Sequence, residues 1–348
     1  MSYFRSNIES MTGYVPGEQP QAEKFIKLNT NENPYRCSPK VLAAIGQAVQ
    51  AGLQRYPDPS ASAFRTAAGD LLGVDPDWLL CGNGSDDILT IVTRTFVNAG
   101  DHVRFANPSY VLYRTLAQIQ GGECHVVNYQ DDWSLGEEFT KSCDRLRIAY
   151  LANPNSPSGT TLAPDTVAQI ADALPCPLLV DEAYADFAET DCVELVARNE
   201  KILVARTLSK SYALAGLRFG FVIAQPQVIS QLAKVKDSYN CDALSIAGAT
   251  AAICDQVWLG QTRDAILTTR ARLSAELRAL GFECVDSQAN FIWCRHPQNE
   301  SEQLYQWLKT EGVLVRYMNF AGWGDGLRIS VGTDEQIDAL LALLKRAL

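Results

Sequence analysis

The sequence predicts an α/β protein with a large, doubly wound, mostly parallel sheet and a smaller α+β domain. Between about residues 60 and 235, short apolar runs alternate with helical stretches, as they do when parallel strands are buried on both faces. This alternation stops at a long helical region, after which strand-like runs return in a different order. We therefore expect an arm at 1–34, the large domain at 35–235 and the small domain at 236–348.

The arm and the first helix are predicted from residues that favour turns and caps. Glycine and proline recur in the first 34 residues, which favours an extended segment. Ser38 and Pro39 are typical of a helix N-cap and first turn, so a helix is predicted from there to about Leu53. The stretch RYPDPS from Arg55 is predicted as a stiff loop because two prolines forbid regular structure.

Six apolar runs are the predicted strands of the large sheet. They are His102–Ala106, Cys124–Val127, Arg147–Ala152, Leu178–Asp181, Ile202–Ala205 and Phe219–Ala224. Helices are predicted between them at Asp86–Val97 and Pro164–Leu174. The alternation indicates that helices cover both faces of the sheet.

The small domain follows a helical region at about 226–280. Its predicted strands are Ala289–Arg295, Gly312–Met318 and Leu327–Val331. Thr333 begins the last helix, and Gln336 three residues later completes a possible capping box.

The composition and charge argue against several kinds of function. The formal net charge of −10 argues against a nucleic-acid partner, so small anionic substrates must be met by local arginines. No apolar run is long enough to span a membrane, and the start, MSYFRSNIES, lacks the apolar core of a signal peptide. Ten cysteines without a C-x-x-C pattern indicate free thiols in the cytoplasm. The three histidines are far apart in the sequence, so no metal site is predicted.

Lys210 carries the strongest single indication of chemistry. It lies in TLSKSYALAGLRFG, residues 207–220, a run of small, hydroxylic and apolar residues that does not resemble a solvent-facing helix. A buried lysine loses its proton readily, which suits it to Schiff-base chemistry with pyridoxal phosphate. Thr207 and Ser209 can donate to a cofactor phosphate, and Arg218 can hold that phosphate as a fork of donors. A solvated surface lysine is the alternative interpretation.

A phosphate cradle is predicted in GNGSDDIL, residues 82–89, which follows a strand-like run and opens a helix. Free amides at a helix N-terminus bind phosphate, and glycine lets the backbone come close. Gly84, Ser85 and Asp86 are therefore the predicted cradle. A tight turn with a serine N-cap is the alternative.

Further polar groups lie near the predicted carboxyl ends of strands, where ligands of open α/β sheets bind. Asn155, in ANPNSPSG, can donate to the phenolic oxygen of the cofactor, as can Tyr184. Asp181 ends an apolar strand, and its carboxylate would need a cation such as a protonated pyridine nitrogen. Tyr110 can stack on the pyridine ring. A turn, a helix cap and a core tyrosine are the respective alternatives for Asn155, Asp181 and Tyr110.

Two arginines are the candidates for substrate binding. Arg328 lies in GLRISVG and Arg316 in GVLVRYM, on predicted strands of the small domain. Either guanidinium can bind a carboxylate or a phosphate as a fork. Structural salt bridges are the alternative for both.

The order of these motifs resembles the fold-type I pyridoxal-phosphate aminotransferases and, within them, the histidinol-phosphate aminotransferases. The stretches that carry the resemblance span nearly the whole chain and are LNTNENPY, RYPDPS, GNGSDDIL, NPSY, NPNSPSG, DEAYADF, TLSKSYALAGLRFG and GLRISVG. The resemblance implies pyridoxal 5'-phosphate as cofactor, with Lys210 as its Schiff-base lysine and Asp181 as partner of the ring nitrogen. It implies that Asn155 and Tyr184 hold the phenolic oxygen. The phosphate would be held by Ser85, Thr207, Ser209 and Arg218.

The same resemblance implies a homodimer with shared active sites. Tyr56 would reach the phosphate of the partner's cofactor, and Tyr14 would lie near the partner's substrate. Asn31 joins Tyr14 and the two arginines as a predicted substrate-binding residue. The arm would connect the small domain with the partner subunit.

The activity implied by the resemblance is amino transfer from L-glutamate to imidazole-acetol phosphate, giving L-histidinol phosphate and 2-oxoglutarate in histidine biosynthesis. Lys210 would be both tether and general base. An aromatic amino-acid aminotransferase and a decarboxylase of phosphorylated threonine are alternatives, because one apolar pocket contact changes specificity by only ~1–3 kcal/mol. A cofactor-binding regulator is a third, which the intact Lys210 and the lack of a basic helix-turn-helix segment argue against.

Overall fold

The protein is described by a computed structural model that covers residues 2–13, 17–19 and 25–348. The helices in these ranges are α1 (Ser6–Ser10), α2 (Pro39–Ala51), α3 (Ser62–Leu72), α4 (Ser85–Phe96), α5 (Leu112–Gln120), α6 (Pro164–Ala173), α7 (Leu195–Arg198), α8 (Pro226–Val235), α9 (Ala243–Ile253), α10 (Gln256–Ala279), α11 (Ser301–Thr310) and α12 (Asp334–Ala347). The strands are β1 (Ile26–Lys27), β2 (Leu79–Gly82), β3 (His102–Asn107), β4 (Glu123–Asn128), β5 (Leu146–Ala152), β6 (Leu178–Asp181), β7 (Ile202–Thr207), β8 (Gly220–Ile223), β9 (Glu283–Cys284), β10 (Phe291–Arg295), β11 (Val313–Leu314), β12 (Arg316–Phe320) and β13 (Gly324–Ser330).

The larger sheet of the described chain has seven strands in the order β2-β8-β7-β6-β5-β3-β4. Strands β3, β4, β5, β6 and β7 pair in parallel, whereas β8 runs antiparallel to both β7 and β2. Strands β6 and β7 are buried at every position because helices pack on both faces of the sheet. The predicted large, mostly parallel sheet is confirmed, and all six predicted strands form.

The predicted helices begin and end within two residues of their predicted bounds, as is usual for helix termini. The helical region predicted at about 226–280 is three helices, α8, α9 and α10. Helix α9 begins where the Asp242 carboxylate accepts from the backbone of Leu244 and Ser245. On α9, Ile246 shares a core with Phe64 of α3, so this helix packs with the large sheet although it follows residue 235. The division at 34 and 235 stays a prediction.

The smaller sheet is antiparallel and has the order β12-β13-β10-β9 within the described residues. Helices α10, α11 and α12 cover it with buried leucines, including Leu273, Leu308 and Leu340. Strand β1 of the arm pairs in parallel with β11, which ties the arm to this smaller unit. The predicted capping box of Thr333 and Gln336 opens α12 and is confirmed.

Helices α9 and α10 follow each other closely in the chain. No single helix of the described residues is long and apolar enough to cross a membrane, but these two, bent by 77°, reach that length and composition together. Both bury residues against the rest of the protein, such as Ala249 of α9 and Ile266 of α10. All ten cysteines carry free thiols.

Candidate active site

A cleft of about 200 Å³ lies at the carboxyl ends of β5, β6 and β7. Parallel strands end at one edge of the sheet, so the segments that follow them meet there. The start of α4, the arm residues 29–31 and strands β12 and β13 complete its walls. The predicted site residues that line it are Asn31, Ser85, Asp86, Tyr110, Asp181, Tyr184, Thr207, Ser209, Lys210, Arg218, Arg316 and Arg328.

Lys210 extends into this cleft from the loop that follows β7. Its Nζ donates to the backbone oxygen of Thr30 at 3.2 Å, and it lies 5.7 Å from the centroid of the Tyr184 ring. The lysine is therefore half-buried in the cleft and not on an exposed helix face. This position suits an amine that must meet a carbonyl group inside the cleft.

Positive charge and free amides meet at the N-terminus of α4. Gly84, with a φ of 87°, precedes the helix and Ser85 is its first residue. The Arg218 guanidinium lies beside them, with Nη1 3.5 Å from Ser209 Oγ, and Ser209 accepts from the Thr207 hydroxyl at 3.0 Å. First-turn amides have no partner within a helix, so this corner offers amides, hydroxyls and a guanidinium to one anion.

Two glycines are needed for the close packing of this corner. A Cβ on Gly84 would lie 2.5 Å from Arg218 Nη2, and a Cβ on Gly220 would lie 2.6 Å from the Ser85 nitrogen. Gly84 also has a positive φ that disfavours other residues. The backbone is thus brought close to the guanidinium, as a phosphate site requires.

The carboxylate of Asp86 does not face a phosphate but pairs with neighbouring side chains. Its carboxylate accepts from Arg218 Nη2 at 3.2 Å and from the Tyr110 hydroxyl at 2.9 Å. A carboxylate repels a phosphate, so only the backbone amide of Asp86 can serve the predicted cradle. The side chain instead orients Arg218 and Tyr110.

Asp181 ends the central strand β6 and is 5% exposed. Its Oδ2 accepts from the Tyr113 hydroxyl at 2.8 Å, and its Oδ1 accepts from the Ala183 amide at 3.2 Å. Burial raises the pKa of Asp181 to about 6, although these two hydrogen bonds lower it. A cation placed beside this carboxylate would favour its charged form.

Asn155 lies beneath the wall of the cleft. Its Nδ2 donates to the Pro108 oxygen at 3.1 Å and to Ser158 Oγ at 2.9 Å, while its Oδ1 accepts from Ser109 Oγ at 2.8 Å. Both amide protons are therefore already used, and a bond to a ligand would need one of them to change partner.

Tyr184 and Asn31 form a contact between the segment that follows β6 and the arm. The Asn31 Nδ2 donates to the Tyr184 hydroxyl at 2.9 Å. Asn31 is fully buried with a φ of 56°, and its backbone nitrogen donates to Ser330 Oγ at 2.8 Å. Asn31 thus connects the arm to both sheets.

The two predicted substrate arginines face each other across β12 and β13. Like charges directly opposite on a sheet repel, unless an anion lies between them. Arg328 Nη1 donates to Ser156 Oγ at 2.9 Å and Nη2 to the Asn29 oxygen at 3.0 Å. These two hydrogen bonds hold the guanidinium at the wall of the cleft, where its planar fork of donors suits an anionic ligand.

One of the two tyrosines predicted to reach the partner subunit lies away from the cleft. Tyr56 is 80% exposed, does not line the cleft, and stacks on Tyr239 with ring centroids 4.4 Å apart. Tyr14 lies outside the residues that the structure describes.

Sequence reasoning missed several groups that shape the cleft, of which Tyr113 is the clearest. It is buried at the start of α5, stacks on Tyr150 with ring centroids 5.0 Å apart, and donates a hydrogen bond to Asp181. It follows Tyr110, which precedes α5, by three residues, and the two rings meet edge to face with centroids 5.6 Å apart. This short spacing from a predicted site residue is the signal that could have identified it. Ser156 and the backbone oxygens of residues 29 and 30 gave no comparable signal, because hydroxyls and carbonyls have no motif of their own.

Comparison with known proteins shows the family to which the chain belongs. The family described as aminotransferase class I and II matches residues 23–344. The chain belongs to this family. Its members include the histidinol-phosphate aminotransferase of Rhodopirellula baltica, 54% identical over 99% of this chain and 96% of that protein. Histidinol-phosphate aminotransferase 1 of Nostoc sp. is 45% identical over 99% of this chain and 98% of its own length.

A solved structure supports the same family and the fold. The histidinol-phosphate aminotransferase of Sinorhizobium meliloti, in complex with pyridoxal 5'-phosphate, aligns with a TM-score of 0.90 at 26% identity, covering 100% of this chain and 99% of that one. The predicted fold class and the predicted family resemblance are both confirmed.

The raised pKa of Asp181 predicts a pH effect on the protein prepared without cofactor. Because the pKa of Asp181 is about 6 in the folded protein and 3.8 for an unburied aspartate, the protonated carboxyl contributes fully to stability below about pH 4, and that contribution is lost as pH rises through about 6. Asp181→Asn should therefore raise the free energy of unfolding at pH 8 by up to ~3 kcal/mol and change it little at pH 4. Urea unfolding at both values measures this, with the exposed Asp70→Asn as control. An Asp181→Asn protein that is less stable than wild type at pH 8 would contradict the assignment.

Proposed function

We propose that this chain is a pyridoxal-phosphate-dependent histidinol-phosphate aminotransferase of histidine biosynthesis. The carrying observation is that one cleft joins an anion cradle, a half-buried lysine, a buried carboxylate and two opposed arginines. Relatives that bear this name match 99% of the chain at up to 54% identity. The reaction would move the amino group of L-glutamate to imidazole-acetol phosphate.

The cleft offers groups suited to both the phosphate and the pyridine ring of pyridoxal phosphate. The amides of Ser85 and Asp86, the hydroxyls of Thr207 and Ser209 and the Arg218 guanidinium would hold the phosphate. Asp181 would meet the ring nitrogen, and Tyr110 would stack on the ring from the side of Asp86. The bound cofactor supplies an electron-withdrawing ring that stabilises negative charge on the substrate carbon.

Lys210 would carry the cofactor and then act as general base. Its Nζ would take the proton from the α-carbon of the amino donor and hold it until it is returned. The neutral amine is the form that accepts this proton. Tyr184, and Asn155 if it exchanges a partner, would hold the phenolic oxygen.

Arg328 would bind the anionic group of both substrates. L-Glutamate offers carboxylates, whereas histidinol phosphate offers a phosphate, and a planar guanidinium forks onto either. Arg316, directly opposite on β12, would share the same anion. Asn31 would support the substrate side of the cleft through Tyr184.

A homodimer with shared sites, located in the cytoplasm, completes the proposal. Tyr56 and Tyr239 form an exposed aromatic pair away from their own cleft. Exposed aromatic residues are enriched where proteins associate. We propose that Tyr56 serves the phosphate of the partner's cofactor, and that Tyr14 approaches the partner's substrate.

Single-turnover reactions test the proposed activity. Holoenzyme is mixed separately with L-histidinol phosphate, L-glutamate, L-phenylalanine and O-phospho-L-threonine while the cofactor absorbance is followed. We expect L-histidinol phosphate to exceed L-phenylalanine at least about tenfold in rate over affinity, since a bound phosphate adds charge-assisted hydrogen bonds. Preference for L-phenylalanine, or carbon dioxide release from phosphothreonine, would replace the proposed function. Lys210→Ala is the inactive control.

Arg328 should matter in both half-reactions. We expect Arg328→Ala to lower the rate over affinity for L-glutamate and for L-histidinol phosphate at least about tenfold each, because hydrogen bonds to charged groups contribute roughly 1.5–3 kcal/mol. Arg328→Lys should also be poor, since an ammonium cannot fork. Arg316→Ala is the matched comparison. If Arg328→Ala lowers the rate over affinity for L-glutamate only, Arg328 binds carboxylates and not the phosphate.

Tyr56 tests the shared site. Tyr56→Ala should weaken cofactor binding and activity. Hybrid dimers of Tyr56→Ala with Lys210→Ala, purified by two different tags, should regain about half of the wild-type activity because one of their two sites is intact. Full activity in Tyr56→Ala homodimers, or inactive hybrids that are stably paired, would rule out this role.

A further inference from the structure

The loop that carries Lys210 is held at its first end by a buried arginine. Arg206 lies on β7 directly before Thr207 and is 7% exposed. Its Nε donates to Glu182 Oε2 at 2.8 Å and its Nη1 to Asp186 Oδ1 at 3.1 Å. Its Nη2 lies 3.1 Å from Asp191 Oδ2. Arg206 thus fixes β7 to the segment that follows β6.

The same loop is held at its other end by a buried serine. Ser211, next to Lys210, is 3% exposed, and its hydroxyl donates to Asp186 Oδ2. The backbone oxygen of Ser211 accepts from Asn33 Nδ2 at 2.9 Å. The two carboxylate oxygens of Asp186 therefore hold the two ends of one loop, Oδ1 at Arg206 and Oδ2 at Ser211.

Asp186 also belongs to the segment that presents the other cofactor-facing groups. It lies in the short 3-10 helix Ala185–Phe187, directly after Tyr184 and five residues after Asp181. A change in its contacts would shift the lysine loop relative to the Asp181–Tyr184 segment. Misplacement by about 1 Å can cost a reaction 10²-fold, so this relative position matters.

We propose that Asp186 is a positioning residue that sets Lys210 against Asp181 and Tyr184. It does not line the cleft, so it acts through Ser211 and Arg206 and not by touching substrate. The inference rests on the proposed role of Lys210, but the geometry of the loop can be measured without any substrate.

Asp191 provides a matched control. It is a second carboxylate on Arg206, and its other oxygen accepts from the backbone amide of Val193, outside the lysine loop. Asp186→Asn and Asp191→Asn both remove one negative charge from Arg206. Only Asp186→Asn breaks the link between the two ends of the loop, since the single amide oxygen replaces either Oδ1 at Arg206 or Oδ2 at Ser211 and the NH2 group in the other place cannot accept.

Amide hydrogen exchange on cofactor-free protein tests the proposal. The reporting amides are those of Ser209, Ala213 and Leu214, which bond to Thr207 Oγ1, the Lys210 oxygen and the Leu208 oxygen. We expect Asp186→Asn and Ser211→Ala to speed exchange in the peptide 207–214 at least about tenfold, and Asp191→Asn to change it less than about twofold. The double variant Asp186→Asn/Ser211→Ala should exchange no faster than Asp186→Asn, because both remove the same contact.

A second measurement separates positioning from overall stability. In the holoenzyme, Asp186→Asn and Ser211→Ala should lower kcat about tenfold and leave KM within about twofold, since the substrate arginines are untouched. Equal exchange in the Asp186→Asn and Asp191→Asn proteins, or faster exchange spread over the whole sheet, would overturn the proposal. If the Asp186→Asn protein does not fold, the Ser211→Ala protein tests the proposal by the same exchange and kcat measurements. A substrate panel without histidinol phosphate turnover would overturn the proposed function and leave the exchange result standing.

Discussion

A carboxylate buried at the end of the central strand is the constraint around which the cleft is arranged. Asp181 is 5% exposed, and its strand β6 lies fourth among the seven strands of the described sheet. An unpaired buried charge costs several kcal/mol, so the charged form of Asp181 relies on the Tyr113 hydrogen bond and would be favoured further by a cation placed beside it. Because β5, β6 and β7 are parallel, Lys210 and Tyr184 reach the same edge of the sheet as Asp181.

The arm and the smaller sheet close the cleft from the side opposite Asp181. The backbone oxygens of Asn29, Thr30 and Asn31 accept, in that order, from Arg328, Lys210 and Asn290. Three successive carbonyls therefore touch the candidate substrate arginine, the candidate catalytic lysine and the start of β10. A movement of the arm would change the surroundings of both functional groups together, which links substrate binding to the position of the lysine.

The sequence predicted what local patterns determine, and missed what side chains meet across the fold. Buried runs such as Leu178–Asp181 identify parallel strands, and the glycines before α4 mark the helix N-terminus. Five residues that the sequence predicted for the site all line one cleft in the structure, and these are Ser85, Asp181, Lys210, Arg218 and Arg328. Tyr113 was missed because an aromatic residue in an amphipathic helix is most often core packing. The two opposed arginines could not be paired in advance, since register depends on the whole sheet. Asp86 was expected to serve phosphate alone, whereas its carboxylate holds Arg218 and Tyr110.

The measurement that tests the account most directly is borohydride trapping of the cofactor followed by peptide mapping. The amine of Lys27 also contacts Thr30, at its hydroxyl, but it pairs with Glu32 and does not line the cleft, so this lysine is a nearby control for Lys210. The account predicts that the reduced cofactor is attached to Lys210 alone, that Lys27→Ala leaves the label in place and that Lys210→Ala removes it. A label on Lys27 or any other lysine in the wild-type protein would contradict it.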